Sequence, residues 1–138
     1  MPANPDYKDL FKIFSEEKVG FLLVGAHAVM FYAEPRYTND LDVLVRPTRE
    51  NAEGVYRARA KFGAPLQGLS SDNFCNPELV HQIGIEPNRI DVIMSIKAMT
   101  FDKVWAHRSE STYSGIPIHI IGQAALIRNK RAALDLKI

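Results

Sequence analysis

The stretch "VGAHAVMFYAEPRYTNDLDVLVR", residues 24–46, decides the fold, because it places two acidic residues in an otherwise apolar β-strand. It begins with a small-residue turn directly after the apolar run Phe21–Val24, and it ends with Asp40 and Asp42 beside leucine and valine. An unpaired carboxylate in a core strand costs roughly several kcal/mol. We therefore expect this strand to end at a water-filled cleft or beside a bound cation.

Composition limits the class of protein. The 138 residues are 46% hydrophobic, which predicts a single domain over 1–138 with a real core. Lysine and arginine (17) nearly balance aspartate and glutamate (16), so no general attraction to nucleic acid or membrane follows. The single cysteine, Cys75, excludes an internal disulfide. No apolar run approaches the ~20 residues that span a bilayer. We expect a cytoplasmic protein with no membrane partner.

Hydrophobic spacing and glycine or proline breakers predict an α/β (α+β) fold, with one mixed β-sheet and helices packed on it. Thr48 is expected to cap a helix that Gly63 stops. The letters "EPN" predict an antiparallel hairpin between the strands on either side, and residues 66–78 are expected to form a loop. The predicted strands are 21–24, 41–45, 79–85, 89–94 and 116–121, and the predicted helices are 7–17, 26–33, 49–62, 100–108 and 122–138.

Three acids point to a metal site. Side chains alternate along a strand, so Asp40 and Asp42 face one side with their Cα atoms ~6.6 Å apart. Their oxygens suit magnesium, which takes one or two carboxylates besides water and phosphates. Asp91, in "NRIDVIMS", also stands in an apolar strand. If the two strands pair, the three carboxylates meet and their repulsion favours a metal. Alternatively, "DLD" marks a surface strand edge where Asp40 caps a turn after Asn39.

A strand, the turn Gly25-Ala26 and a helix form a geometry that suits phosphate. The free N–H groups of a first helical turn carry a partial positive charge, although glycine is also common there for steric reasons. Thirteen residues separate Ala26 from Asp40. One helix and a returning strand would therefore bring the carboxylates beside the turn, as a metal-bound triphosphate requires.

The motifs "VGAHAV", "PRYTNDLDVLV", "RIDVIMS", "FDKVW" and "IGQAALIRNKRAA" occur in the order typical of one superfamily. They resemble the DNA polymerase β-type nucleotidyltransferases, over about residues 18–133. More narrowly, they resemble small stand-alone bacterial and archaeal members related to the toxin half of abortive-infection systems. The resemblance implies that Asp40, Asp42 and Asp91 are catalytic and bind two Mg2+ ions, with Mn2+ as a substitute.

The same resemblance implies the reaction and its partners. A nucleoside monophosphate would pass from a nucleoside triphosphate, such as ATP, to an acceptor hydroxyl on RNA (tRNA), a protein or a small molecule, releasing pyrophosphate. The implied nucleotide- and phosphate-binding residues are Gly25, Ala26, Arg36, Thr38 and Lys130. A solvent-exposed loop would equally explain Arg36 and Thr38, and a solvated basic helix face would explain Lys130.

Two departures from the superfamily pattern leave an alternative open. Ala26 stands where the signature has Gly or Ser, so it offers no hydroxyl, and "NKRAALDLKI" replaces a Gly-Arg segment and acidic helix. The alternative is a catalytically weak or silent nucleotide-binding partner subunit of the toxin–antitoxin type. Metal-dependent phosphate-ester hydrolysis ranks last. Since 138 residues leave little room for an acceptor domain, we expect a homodimer or a partner protein to complete the cleft.

Overall fold

A computed structural model describes residues 4–33, 40–83 and 89–135, with side chains through residue 132. Within these ranges no helix is both long and apolar enough to cross a bilayer. A short 3-10 helix occupies Ser71–Cys75. The other elements, in chain order, are α1 (Pro5–Glu16), β1 (Phe21–Val24), α2 (Gly25–Tyr32), β2 (Asp40–Val45), α3 (Arg49–Phe62), β3 (Val80–Ile83), β4 (Arg89–Ile93), α4 (Phe101–Trp105), β5 (Ser109–Tyr113), β6 (Ile116–Ile120) and α5 (Gln123–Asp135).

The strands form one mixed sheet in the order β3-β4-β2-β1-β6-β5. β1 runs antiparallel to β2 and parallel to β6, while β2 runs parallel to β4. β3 and β4 pair antiparallel, as do β5 and β6. Each of the five strands predicted from the sequence has a counterpart in this sheet, which confirms the α+β class and the antiparallel pairing on either side of "EPN". Residues 84–85 of the predicted strand 79–85 lie outside the described residues.

The aromatic core fixes α1 against the sheet. Phe11 and Phe14 place their rings 5.7 Å and 5.3 Å from the ring of Phe21, the first residue of β1. All four residues of β1 are buried. Burying each phenyl group contributes roughly 1.5–3 kcal/mol. At the start of α1, the side chain of Asn4 accepts hydrogen bonds from the first-turn backbone, which sets the direction in which the helix begins.

Helix α3 has the ends that the sequence predicts, and its first turn ties two strands together. Thr48 caps its start by accepting a hydrogen bond from Asn51 N, and Gly63 ends it in the left-handed region with φ 91°. The Asn51 side chain accepts from Gly20 N at 2.7 Å and donates to Gly20 O at 3.0 Å and Arg46 O at 2.9 Å. These bonds join the start of β1 to the end of β2.

Strand β5 was not predicted. Its sequence "SESTY" alternates between half-buried and exposed polar residues, so it carries no apolar signal and pairs with β6 through its backbone. The predicted helix 100–108 is shorter, because α4 ends at Trp105 before the chain turns into β5. The 3-10 helix lies inside the predicted loop 66–78 and buries Phe74 completely. Helix α2 begins at Gly25, one residue earlier than expected.

Candidate active site

Strand register brings the predicted acids to one face of the sheet. In the parallel pair β2–β4, Asp40 lies opposite Arg89 and Asp42 lies opposite Asp91. Opposed residues point to the same face of a sheet, and neighbouring strands are ~4.8 Å apart. Asp40, Asp42 and Asp91, named here the acid cluster, therefore share a face with Arg89 at the fourth corner.

The carboxylates of the acid cluster repel each other. Burial raises the pKa of Asp42 from 3.8 to about 6, and the charge of Asp91, a hydrogen bond with Asp91 and the charge of Asp40 act in the same direction. The charge of Arg89 lowers the pKa of Asp42, but by less than the other causes raise it. A bound cation would favour the ionised carboxylate instead. The cluster thus has the electrostatic character expected of a cation site.

Arg89 is a site residue that the sequence analysis missed. Its Nη2 donates to Asp40 Oδ2 at 3.3 Å, and its Nε lies 3.7 Å from Asp91 Oδ1. Asp91 Oδ1 is buried and has no hydrogen-bond partner within the part of the chain that the structure describes. The signal was present in "RID", because a residue two positions before Asp91 on a strand shares its face.

Gly25 brings the strand-to-helix turn against the acid cluster. Val24 lies opposite Asp42 in the β1–β2 pair. Gly25 has φ +69°, and a Cβ there would overlap Asp42 Oδ2 and lie 3.1 Å from Asp42 Cγ. A residue with a side chain would therefore strain the backbone and displace the carboxylate. The turn and the carboxylates lie side by side, as their spacing in the sequence predicted.

Helix α2 begins at this turn without a side-chain cap. Its N-cap residue is Val24, which makes no side-chain hydrogen bond, and its first turn contains no acidic residue. Uncapped N–H groups at a helix N-terminus favour an anionic ligand. Ala26 contributes a backbone amide in this first turn but no hydroxyl. The arrangement suits a phosphate group held through the backbone.

Tyr7 and His27 form an aromatic pair that responds to the charges of the acid cluster. Their ring centroids are 5.4 Å apart in a T-shaped contact, and Tyr7 is 3% exposed. Burial, followed by Tyr113, Asp40 and Asp42, raises the pKa of Tyr7 to about 12. Burial lowers the pKa of His27, although the charge of Asp40 opposes this shift. The sequence analysis missed Tyr7, which it gave only as the first residue of the predicted helix 7–17.

Of the remaining predicted phosphate ligands, only Lys130 lies within the described residues. Lys130 is exposed on α5, ~10 Å along the helix axis from Gln123. Among the described side chains, no hydrogen bond or ion pair joins Lys130 to the acids. Arg36 and Thr38 lie in 34–39, outside the described residues. The roles of all three stay predictions.

The residues present fit a magnesium ion, although they form no ready-made metal cluster. Across residues 4–33, 40–83 and 89–135, no group of three or more His, Cys, Asp or Glu side chains is arranged to hold a metal. Magnesium needs only one or two carboxylates when water and phosphate supply the other oxygens. Asp42 and Asp91 lie in register, and the buried Asp91 Oδ1 lacks a hydrogen bond within those ranges. These two carboxylates are the minimum set, and Asp40 lies beside them.

Comparison with solved structures places the fold. The sequence matches no protein-family model and no curated protein. The structure is similar to TM1012, a proposed nucleotidyltransferase from Thermotoga maritima, with a TM-score of 0.62 and 15% identity over 99% of this chain and 88% of that one. It is also similar to LnuA, a lincosamide antibiotic adenylyltransferase solved with lincomycin bound, with a TM-score of 0.59 and 15% identity over 93% and 86%. Over nearly its whole length, the chain has the same fold as these two proteins.

Proposed function

We propose that this chain is a nucleotidyltransferase that moves a nucleoside monophosphate from a nucleoside triphosphate to an acceptor hydroxyl. The observation that carries the proposal is the side-by-side placement of the acid cluster and the Gly25 turn. The first supplies oxygens for Mg2+ and the second supplies amides for phosphate. The fold shared with TM1012 and LnuA supports the same chemistry.

The acids divide the work of the site. Asp42 and Asp91 would hold Mg2+ or Mn2+, with Asp40 completing a site for a second ion. When bound, the metal neutralises the triphosphate and lowers the pKa of the acceptor hydroxyl. The hydroxyl oxygen then forms a bond to the α-phosphorus as the bridging bond to the β-phosphate breaks. Pyrophosphate leaves, and Asp91 accepts the hydroxyl proton.

The turn orients the triphosphate. The uncapped first turn of α2, with Gly25 and Ala26, would bind the β- and γ-phosphates through backbone N–H groups. Arg36, Thr38 and Lys130 remain candidate nucleotide contacts. Most of the rate acceleration would come from positioning and charge neutralisation, as in other phosphoryl transfers.

The donor and the acceptor are proposed by class. ATP is the first donor to test, because LnuA is an adenylyltransferase. The antibiotic bound to LnuA supports a small-molecule acceptor, while the sequence motifs favour tRNA or a protein. A second copy of the chain or a partner protein would complete the acceptor side of the cleft.

Label transfer tests the proposal. The protein is incubated with Mg2+, each α-32P-labelled nucleoside triphosphate, and one of three acceptor pools: total tRNA, a protein extract or lincosamides. Label should move to an acceptor with the wild type and with Asp72→Asn, an exposed acid that is 69% accessible. Transfer by Asp42→Asn and by Asp91→Asn should each fall about a hundredfold or more. Equal transfer by all four proteins would refute the assignment of the acid cluster.

A second candidate is a silent nucleotide-binding subunit of the toxin–antitoxin type. Two observations favour it: Arg89 already pairs with Asp40, and Ala26 lacks the hydroxyl of the superfamily signature. Calorimetric titration with a triphosphate and Mg2+ or Mn2+ separates the two functions. Binding without label transfer in every acceptor pool supports the silent subunit, and transfer excludes it.

A further inference from the structure

We propose that Arg89 is the resident counter-cation of the acid cluster and competes with the divalent ion for the same carboxylates. The inference rests on the proposed function, since it concerns how the metal reaches its site. It assigns to Arg89 a control over metal binding: Mg2+ alone binds weakly, and Mg2+ together with a triphosphate binds well.

The geometry places the guanidinium where a cation would be held. Arg89 lies directly across from Asp40 and two residues before Asp91, so all three side chains leave the same face of the β2–β4 pair. Its Nη2 reaches Asp40 Oδ2 at 3.3 Å and its Nε lies 3.7 Å from Asp91 Oδ1. One planar guanidinium thus contacts two of the three acids.

The guanidinium and the metal ion compete because both are positively charged and both bind the same carboxylates. Among the described residues, three carboxylate side chains share this face with one guanidinium, so the face favours a cation. That ion would approach the oxygens that Arg89 already contacts, Asp40 Oδ2 and Asp91 Oδ1. Two cations on the same oxygens repel each other. Metal binding therefore either displaces the guanidinium or is weakened by its charge.

A triphosphate relieves this competition. Its oxygens offer the guanidinium another anionic partner, and Arg binds phosphate through paired N–H groups as well as it binds carboxylate. Once Arg89 turns to phosphate, the carboxylates are open to the metal. Metal and triphosphate therefore bind with positive coupling, and each raises the affinity for the other by the same factor.

The test measures Mg2+ affinity in the absence of nucleotide, by calorimetric titration at low ionic strength. Arg89→Met should bind Mg2+ about tenfold more tightly than wild type, which corresponds to ~1.4 kcal/mol. Arg89→Lys keeps the charge and should stay within about threefold of wild type. Arg57→Met is the matched control, because Arg57 also pairs with a carboxylate, that of Glu17, but outside the acid cluster. Its Mg2+ affinity should equal that of wild type.

If Arg89 instead held the carboxylates in position for the metal, Arg89→Met would bind Mg2+ more weakly than wild type. If Arg89→Met binds Mg2+ as weakly as wild type, or more weakly, the competition is refuted. Should Arg89→Met fail to fold, the double variant Asp40→Asn/Arg89→Met removes both ends of the ion pair. It must bind Mg2+ more tightly than Asp40→Asn alone.

The proposed function can fail separately. Suppose that wild type transfers label but that Arg89→Met binds Mg2+ with the same affinity as wild type. The proposed competition is then refuted, while the proposed nucleotidyltransferase activity stands. If neither wild type nor any variant binds Mg2+, with or without triphosphate, both proposals fall.

Discussion

Replacing Asp42 by asparagine should stabilise the metal-free protein at neutral pH. The folded state raises the pKa of Asp42 from 3.8 to about 6, first through burial and then through Asp91 and Asp40. Between those pH values the folded state binds more protons than the unfolded state. The stability contributed by protonated Asp42 is therefore complete below pH ~4 and is lost as the pH rises through about 6.

The size of the effect follows from the shift. A rise from 3.8 to about 6 corresponds to at most ~3 kcal/mol. Because Asp42 is only half-buried, solvent screening reduces this to about 1–2 kcal/mol. The asparagine side chain carries no charge, so the Asp42→Asn variant should melt about 3–8 °C above wild type at pH 7.5. The difference should vanish near pH 4.

Melting curves at pH 4 and pH 7.5, each with and without Mg2+ and ATP, provide the assay. Ligand at ~100 times its dissociation constant should stabilise wild type by about 2.7 kcal/mol. The Asp42→Asn variant should lose that shift, while the exposed control Asp72→Asn should keep it. If metal-free Asp42→Asn melts lower than wild type, the carboxylate is a structural hydrogen-bond acceptor. If the variant keeps the full ligand shift, Asp42 is not a metal ligand.

Three further predictions concern the turn, the strand tie and the proton acceptor. Gly25→Ala should lower the free energy of unfolding by about 3 kcal/mol in urea, because it adds overlap with the acid cluster to backbone strain. The control Gly68→Ala has φ +78° but nothing within 4 Å of the added Cβ, so it should lower the free energy of unfolding by only about 1 kcal/mol. Equal destabilisation by the two variants would refute the overlap with Asp42. Asn51→Ala should lower the free energy of unfolding by about 2–3 kcal/mol through three lost hydrogen bonds, and a change in its Mg2+-dependent melting shift would contradict a purely structural role. Asp91→Asn should reduce label transfer about a hundredfold or more while remaining folded by circular dichroism, and near-normal transfer would exclude Asp91 as the base.

Local signals predicted most of the sheet. The apolar run of β1, the cap at Thr48 and the stop at Gly63 each act within a few residues, so their elements begin or end where the sequence places them. The period of two along β2 likewise settles that Asp40 and Asp42 share a face. Strand β5 has no such local signal, because its polar residues are held at the sheet edge by backbone pairing with β6.

Periodicity and composition could not predict the position of Asp91. Its pairing with Asp42 depends on β4 lying next to β2 in a particular register, and a shift of one residue would move Asp91 to the opposite face. The motif resemblance supplied that register indirectly. Periodicity and composition by themselves left Asp91 as one more acid at the start of an apolar strand.

Arg89 and Tyr7 show two different reasons why site residues were missed. Arg89 follows from the register once Asp91 is placed, because strand alternation puts it on the same face. Tyr7 does not follow from any strand: it reaches the site only because Phe11 and Phe14 pack α1 against β1. This packing buries the phenol, and burial, followed by the charges of Tyr113, Asp40 and Asp42, raises its pKa to about 12. A sequence motif predicts site residues that lie on a turn or on neighbouring strands. A residue that helix packing brings to the site can be identified only from the folded structure.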